Sequence, residues 1–310
     1  MARVGIVIVT HESAGEIGGC LDALREVPDI QVVVVDNAST DRTREEVVSR
    51  GTALIENSTN LGFGAAVNQG VRATTAPLLL LLNPDARLER GLDALIAEFD
   101  DHRIGAAGGL LIGADGKPQQ GFMARNLPSA ATLACEVLGV NSLWPRNPLN
   151  WHYRCFGMDP VTPAFVEQPA GAFLMFPRRI WEKVGGFGEC YWPIWFEDVD
   201  FCWRVKQAGA LVRYNPAAVA KHAGAHSVGS LPLEIRERYW YGSLLEYAAR
   251  HYSLFAYWSV CAATIVGSAL RGVRAFPRDG FKAVLVYGAV CRLALGRMFR
   301  PGRGYRSSVF

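Results

Sequence analysis

The first hundred residues alternate short apolar runs with stretches whose apolar positions recur at helical spacing. Val4 to Thr10 reads as a buried strand, and Ile17, Leu21 and Leu24 mark one face of a helix. Gln31 to Val35 is a second buried strand that stops abruptly at Asp36-Asn37-Ala38-Ser39-Thr40-Asp41, where Ser39 or Thr40 can cap a helix running towards Arg50. Ala53 to Glu56 gives a third strand, Leu61-Gly62-Phe63-Gly64 opens a helix through Ala73, and Leu78 to Leu82 is a fourth strand ending in Asn83-Pro84-Asp85. Apolar strands separated by helices indicate a mostly parallel α/β sheet with both faces covered. In such sheets ligands bind beyond the carboxyl ends of the strands. Thr10-His11, Asp36-Asn37 and Asn83-Pro84-Asp85 all fall at such ends.

Beyond residue 110 the pattern weakens. The stretch 110–168 is rich in Gly, Pro, Asn and Trp and reads as a lid or substrate loop. Regularity resumes with a strand over Gly171–Phe176, a helix from near Arg178, and another from about Asp198 to Ala208. From about Leu231 the chain reads as helical. Tyr252 to Leu270 carries no formally charged residue and has the length of a minimal bilayer span. Its Ser253, Ser259, Thr264 and Ser268 favour a buried or interfacial helix instead. Phe281 to Phe299 reads as a basic amphipathic helix, either a solvated face or an attachment to an anionic membrane surface. The expected division is a catalytic domain over 1–228 and a helical region over 229–310.

Composition narrows the classes. Of 310 residues 50% are hydrophobic and 20% charged, enough for a large core and too apolar for global disorder. A net charge of +3 gives no reason to expect nucleic acid as a partner. Its distribution is uneven: from Arg271 onward nine Lys or Arg face one acidic residue, Asp279. The seven cysteines include no CxxC pair and fit reduced, buried thiols in a cytosolic protein. The opening MARVGIVIVTHES lacks a small-residue cleavage site and reads as a first strand, not a signal peptide.

Five constellations carry chemistry. Asp36 with Asn37 can accept the imide N–H of uracil or thymine, or can simply cap a helix. In Asn60-Leu61-Gly62-Phe63-Gly64 to Asn68 the glycines let a backbone approach an anion at a helix start, although a tight turn needs them equally. Asp85 of Asn83-Pro84-Asp85 can hold a divalent cation against a diphosphate, or close a turn. Glu197-Asp198-Val199-Asp200 sets three carboxylates among aromatics, costly to bury without a task. One of them can act as a general base, and a helix start favours such charges electrostatically. In Lys221-His222-Ala223-Gly224-Ala225-His226-Ser227 an imidazole can ligate a metal and Lys or Ser can meet phosphate.

Taken in order, IVIVTHES, VVVVDNASTD, NLGFGAAVNQG, LLLLLNPDARL, PAGAFLMFPR, VGGF, FEDVDFCWRVKQAG and KHAGAHS resemble glycosyltransferase family 2, the inverting enzymes of GT-A fold, over Val4 to about Ser227. NPD in place of the usual DxD, together with the EDxD string, is most similar to the bacterial rhamnosyltransferase branch. The resemblance implies that Thr10, His11 and Glu12 line the nucleotide pocket and that Asp36 and Asn37 meet the base. It further implies that Asn60, Gly62, Asn68 and Asn83 contact the donor, and that Asp85 and His222 hold Mg²⁺ or Mn²⁺. Asp198 would be the base, with Glu197 beside it, and Trp192, Trp195 and Asp200 would meet the acceptor. The implied donor is a dTDP- or UDP-sugar, with dTDP-L-rhamnose common in the branch. The implied acceptor is a polysaccharide or lipid-linked glycan of the cell envelope, reached from the inner face of the membrane. Oligomeric state stays open, a homodimer included. A nucleotidyltransferase would need a basic loop after the first strand, where THESAGEIGG is acidic. A non-catalytic glycan-binding scaffold would have no use for Asp85 and Asp198.

Overall fold

The computed structural model describes residues 2–224 and 231–299. The last three residues of the KHAGAHS string, Ala225 to Ser227, lie outside the described residues. The chain forms two compact units. The first takes in Met1–Leu127, Arg154–Glu189 and Glu197–Ser230; the second takes in Pro128–Tyr153, Cys190–Phe196 and Leu231–Phe310. The single boundary expected at 228 is therefore one of several crossings, because two earlier segments join the C-terminal helices.

In the first unit the strands are β1 (Val4–Thr10), β2 (Ile30–Asn37), β3 (Ala53–Asn57), β4 (Leu78–Leu82), β5 (Ala86–Arg90), β6 (Ile104–Ile112), β7 (Ala124–Arg125), β8 (Ala164–Phe165), β9 (Gln168–Pro169), β10 (Phe173–Pro177) and β11 (Leu211–His222). The main sheet runs β3-β2-β1-β4-β10-β6-β11-β5 with β8 beside β11, and β7 pairs β9 separately. It is parallel from β3 to β4. β10 then runs antiparallel to both β4 and β6, β11 is parallel to β6, and β5 is antiparallel to β11. Alternate side chains of β1 feed two cores: Ile6 and Ile8 pack with Val34, Leu80 and Leu82, whereas Val7 and Val9 pack with Val33, Val35 and Leu81. Both faces are covered, which is why these strands are apolar without alternation.

The covering helices include α1 (Ile17–Asp22), α2 (Thr43–Val48), α3 (Phe63–Arg72) and α4 (Leu92–Ala97). Ser39 and Thr40 do not cap α2. Ser39 turns back onto Asp36, and the carboxylate of Asp41 takes the Thr43 N–H at 3.0 Å. Asn68 of α3 belongs to the framework rather than to a donor site. Its amide donates to the Phe187 carbonyl (2.9 Å) and Glu189 (3.0 Å) and accepts from Trp181 Nε1 (3.1 Å) and Phe187 N–H (2.8 Å). All four of its bonding positions are used, so none is left for a nucleotide.

The second unit is helical. The stretch expected as an irregular lid contains α5 (Ala130–Val137), α6 (Val140–Leu143) and α7 (Pro148–Tyr153). With α8 (Arg178–Val184) and α9 (Glu197–Gln207) in the first unit, the C-terminal helices are α10 (Leu233–His251), α11 (Leu254–Asp279) and α12 (Phe281–Met298). Helix α11 crosses the end of α5 closely: a Cβ on Gly267 would come within 1.9 Å of the Val137 carbonyl oxygen. The guanidinium of Arg271 donates to the Glu136 and Val137 carbonyls and to the Tyr241 hydroxyl. Glu246 on α10 joins the exposed Arg250 (2.7 Å) to the buried Arg297 of α12 (2.6 Å). Among the described residues α11 alone is long and apolar enough to cross a membrane, and 33% of its most apolar stretch is buried against protein.

The Asn68 clamp has a measurable consequence. Asn68→Ala strands the buried Phe187 N–H and the Trp181 indole, each worth about 1–3 kcal/mol when left unmade. We expect a destabilisation of about 2–4 kcal/mol in urea unfolding, with nucleotide affinity largely kept. A stability within about 0.5 kcal/mol of wild type would contradict the clamp.

Candidate active site

The polar strand ends converge as the topology requires, with Thr10 opposite Asp36 and Asn37 opposite Asn57. Asp36 is fully buried, and its carboxylate accepts from Thr10 Oγ1 (2.9 Å), Ser39 N–H (3.0 Å), Ser39 Oγ (2.5 Å) and Arg44 Nε (2.7 Å). Burial pushes its pKa up, but the Ser39 and Arg44 hydrogen bonds outweigh it and hold the carboxyl below the usual range. A nucleobase could reach this group only by displacing one of those donors. In this structure Asp36 shapes the pocket rather than facing it. Asn37 donates to the Gly62 carbonyl (3.2 Å), and Asn60 accepts the Gly62 N–H (2.9 Å), so both brace the glycine turn before α3. The Nδ1 of His11 meets the Asn37 carbonyl at 2.8 Å. Glu12, at φ 52°, accepts from Thr40 N–H and Oγ1 at 2.8 and 3.0 Å. The loops after β1 and β2 are thereby laced together.

Asp85 follows β4 and faces β11. Its Oδ1 lies 3.4 Å from His222 Nε2, and its Oδ2 accepts the Gly224 N–H at 2.9 Å. Burial raises its pKa, but His222 and the Gly224 N–H hold the carboxylate below the ordinary value overall. Gln119 fixes the imidazole: its Nε2 donates to the His222 carbonyl at 2.9 Å, so its Oε1 faces Nδ1 at 2.9 Å. Nδ1 then carries a proton towards Gln119, and Nε2 is the ring nitrogen turned to Asp85. Phe122 stacks on the ring at 5.2 Å and 4°. A carboxylate oxygen and an imidazole nitrogen at this separation fit neighbouring ligands of one small divalent ion, which at about 2.1 Å each would sit roughly 3 Å apart. The fit extends to two protein ligands; among the described residues no group of three or more His, Cys, Asp or Glu could hold a metal, so other oxygens must complete the shell. Beside the pair lies a cavity of about 330 Å³ lined by Gly15, Glu16, Asp85, Arg87, Ala114, Lys221 and Ala223. Arg87 and Lys221 are cross-strand partners there, a pair of cations suited to phosphate oxygens.

Asp198 reaches the same sheet edge. Its Oδ2 accepts from Gln168 Nε2 (2.9 Å) and Gly171 N–H (3.0 Å), and its Oδ1 accepts from Val199 N–H (2.8 Å). Among the described residues three of about four lone-pair positions are used, leaving one to accept a proton. The neighbouring Ala172 carbonyl takes the Asn83 N–H at 3.1 Å, so the base candidate and the Asn83–Asp85 turn hang from adjacent residues. Glu197 is buried, and its Oε2 has no hydrogen-bond partner among the described residues. Burial, then the charges of Asp198 and Asp200, push its pKa well up. Asp200 does not face an acceptor. It is 5% exposed and paired with Arg204 at 2.6 Å, whose guanidinium also holds the Val184 and Gly186 carbonyls. Trp192 and Trp195 belong to the second unit, where Trp192 packs edge-on against Tyr239 and Trp195 lines a cavity with Trp240, Arg236 and Arg271.

The sequence profile of Glycosyl transferase family 2 matches residues 5–173, more than half of the chain. The chain belongs to glycosyl transferase family 2. It is a glycosyltransferase that takes a nucleotide-sugar donor, and its α/β fold is the GT-A fold. It is 32% identical over 248 residues to the N-acetylglucosaminyl-diphospho-decaprenol L-rhamnosyltransferase of Mycobacterium tuberculosis, covering 73% of this chain and 78% of the relative. It is 26% identical to the pre-mycofactocin glycosyltransferase of the same organism, over 80% of this chain and 48% of that one. Among solved structures it is similar to the mannosyltransferase PcManGT of Pyrobaculum calidifontis in complex with GDP-Man and Mn²⁺ (TM-score 0.54, 16% identity, 97% and 88% covered). It is also similar to GalNAc-T7 with UDP, GalNAc and Mn²⁺ (TM-score 0.55, 15% identity, 81% and 51% covered).

Within this family member several site residues carried little signal in the sequence. Gln119 and Gln168 act on side chains 103 and 30 residues away, which spacing cannot reveal. Arg87 was visible only as the residue two after Asp85, and Arg44 only as a charge on a helix.

The buried Glu197 predicts an unusual pH dependence. Its folded pKa lies above the unfolded value of 4.5, so in between the folded chain holds the extra proton. Stability from this group is full below 4.5 and falls as pH rises. We expect wild type to lose melting temperature between pH 5 and pH 8, and Glu197→Gln to lose less. Equal losses in the two proteins would exclude a neutral Glu197.

Proposed function

We propose that this glycosyltransferase moves L-rhamnose from dTDP-L-rhamnose, with inversion, to a hydroxyl of a lipid-linked glycan at the inner face of the cell membrane. The similarity to the mycobacterial rhamnosyltransferase supports the sugar and the acceptor class. The observation that carries the reaction is the pairing of Asp198 on Gly171 with Asn83 on Ala172. Asp198 takes the proton of the acceptor hydroxyl through its open lone pair as that oxygen attacks the anomeric carbon. Gln168 and Gly171 hold the carboxylate still, which lowers the cost of orienting it. Arg87 and Lys221 bind the departing diphosphate. Asp85 and His222 would hold Mg²⁺ or Mn²⁺, which when bound neutralises phosphate charge. The exposed apolar residues and cations of α11 and α12 support a peripheral membrane contact.

A donor panel with Mg²⁺ or Mn²⁺ tests this reading. Thymidine or uridine diphosphates should raise the melting temperature and adenine nucleotides should not. Asp85→Asn and Asp198→Asn should each cut transfer by about 10²–10⁴-fold, and EDTA should act like the first. Transfer that survives both substitutions would sink the mechanism, and transfer of another sugar in preference would sink the rhamnose assignment alone.

A further inference from the structure

The second unit carries a groove between α10 and α12 that encloses about 600 Å³, a volume typical of small-molecule sites. On α12 Leu285, Val286, Ala289, Val290 and Leu293 line it at helical spacing, so one stripe of the helix supplies floor and wall. Ile235 of α10 closes the other side. Val286 and Val290 are buried, but Leu285 is 67% exposed, and Phe281 beyond it is 78% exposed. Such a run of open apolar surface marks a binding site more often than chance.

The rim gives the ligand its polarity. Arg238, Lys282 and Arg292 are exposed at the groove, against the single carboxylate of Glu234, 4.0 Å from Lys282. Three cations and one anion leave a net charge of +2 around an apolar trough. A basic solvated helix face would account for the cations but not for the apolar stripe left open between them. What complements both features is a molecule with a long apolar chain and an anionic phosphate at one end.

We infer that this groove binds a single long-chain alkyl or isoprenyl phosphate, its chain along Leu285, Ala289 and Leu293 and its phosphate at Arg238, Lys282 and Arg292. The binding claim stands on the second unit alone; that such a lipid carries the acceptor sugar rests on the reading above. The test is calorimetric titration of the full chain with dodecyl phosphate below its micelle concentration, beside dodecyl maltoside and inorganic phosphate. We expect dodecyl phosphate to bind at least about tenfold more tightly than either. Ala289→Trp, at an exposed position, should block the groove and abolish binding. The triple variant Arg238→Ala, Lys282→Ala, Arg292→Ala should weaken dodecyl phosphate by about tenfold or more and leave dodecyl maltoside unchanged. Wild-type binding by Ala289→Trp, or equal binding of the two detergents, would overturn the inference. So would adsorption to anionic vesicles alone, unaffected by either variant. Because the readout is binding, a chain that binds the phosphate but transfers no sugar would overturn the proposed function and not the groove.

Discussion

Strand β10 joins the two halves of the sheet by pairing Phe173 with Leu82 on one side and Leu174 with Gly108 on the other, antiparallel to both. The reversal decides which loop meets which. The carboxyl end of β4 lies beside the start of β10, so the Asn83–Asp85 turn adjoins Ala170–Ala172. Were β10 parallel, Pro177 would lie there and Gly171 would sit at the opposite edge. Two glycines on β6 permit the arrangement: a Cβ on Gly109 would come within 2.3 Å of the Phe173 ring, and one on Gly108 within 2.4 Å of Pro169. A side chain at Gly109 would press on β10 and one at Gly108 on β9, the two strands that flank the Ala170–Ala172 segment from which Asn83 and Asp198 hang.

Five carboxylates near that edge do five different things, and environment alone separates them. Asp36 is saturated by neutral and cationic donors and is fixed as an anion. Asp85 shares its oxygens between Gly224 and His222, which leaves it anionic and able to ligate. Asp198 accepts three hydrogen bonds from the described residues, which leaves one lone-pair position among them unused. Glu197, buried with an oxygen unmatched among the described residues, is driven towards the neutral form, so it withholds one negative charge from the neighbourhood of Asp198. Asp200 spends its charge on Arg204 and through it positions the Val184–Gly186 turn. That turn leads into Phe187, the residue Asn68 clamps, so the acidic helix and α3 are coupled through one loop.

The first four strands were legible because burial on both faces writes an unbroken apolar run, and their polar ends were legible because such runs stop sharply. Of the strands beyond, β10 was legible over Gly171–Phe176 and the others were not. β6 reads IGAAGGLLI, its glycines demanded by close packing and carrying no strand signal of their own. The direction of β10 leaves no mark in a hydrophobic pattern. Helices α5 to α7 are 8, 4 and 6 residues long, too short for helical periodicity to emerge from a Gly- and Pro-rich stretch. At the site, motif order named Asp85 and His222, which approach to 3.4 Å, and Asp198 as a separate candidate. It misjudged Asn68 and Asp200, since an amide or carboxylate in a conserved-looking string reads alike whether its partner is a ligand or the protein.

The C-terminal helices, whose sequence suggested only location, also hold a strained segment of their own unit. Trp195 and Phe196 both adopt left-handed backbone, φ 79° and 71°, immediately before Glu197. Each such residue costs of order 1–3 kcal/mol and persists only where its surroundings over-determine it. Those surroundings are helix α10: Phe196 packs on Tyr247 with ring centroids 5.4 Å apart, and Ser243 donates to the Ile194 carbonyl at 2.9 Å. Within the helical unit the left-handed backbone of Trp195 and Phe196 is therefore held by two contacts from one helix, a ring against a ring and a hydroxyl on a carbonyl.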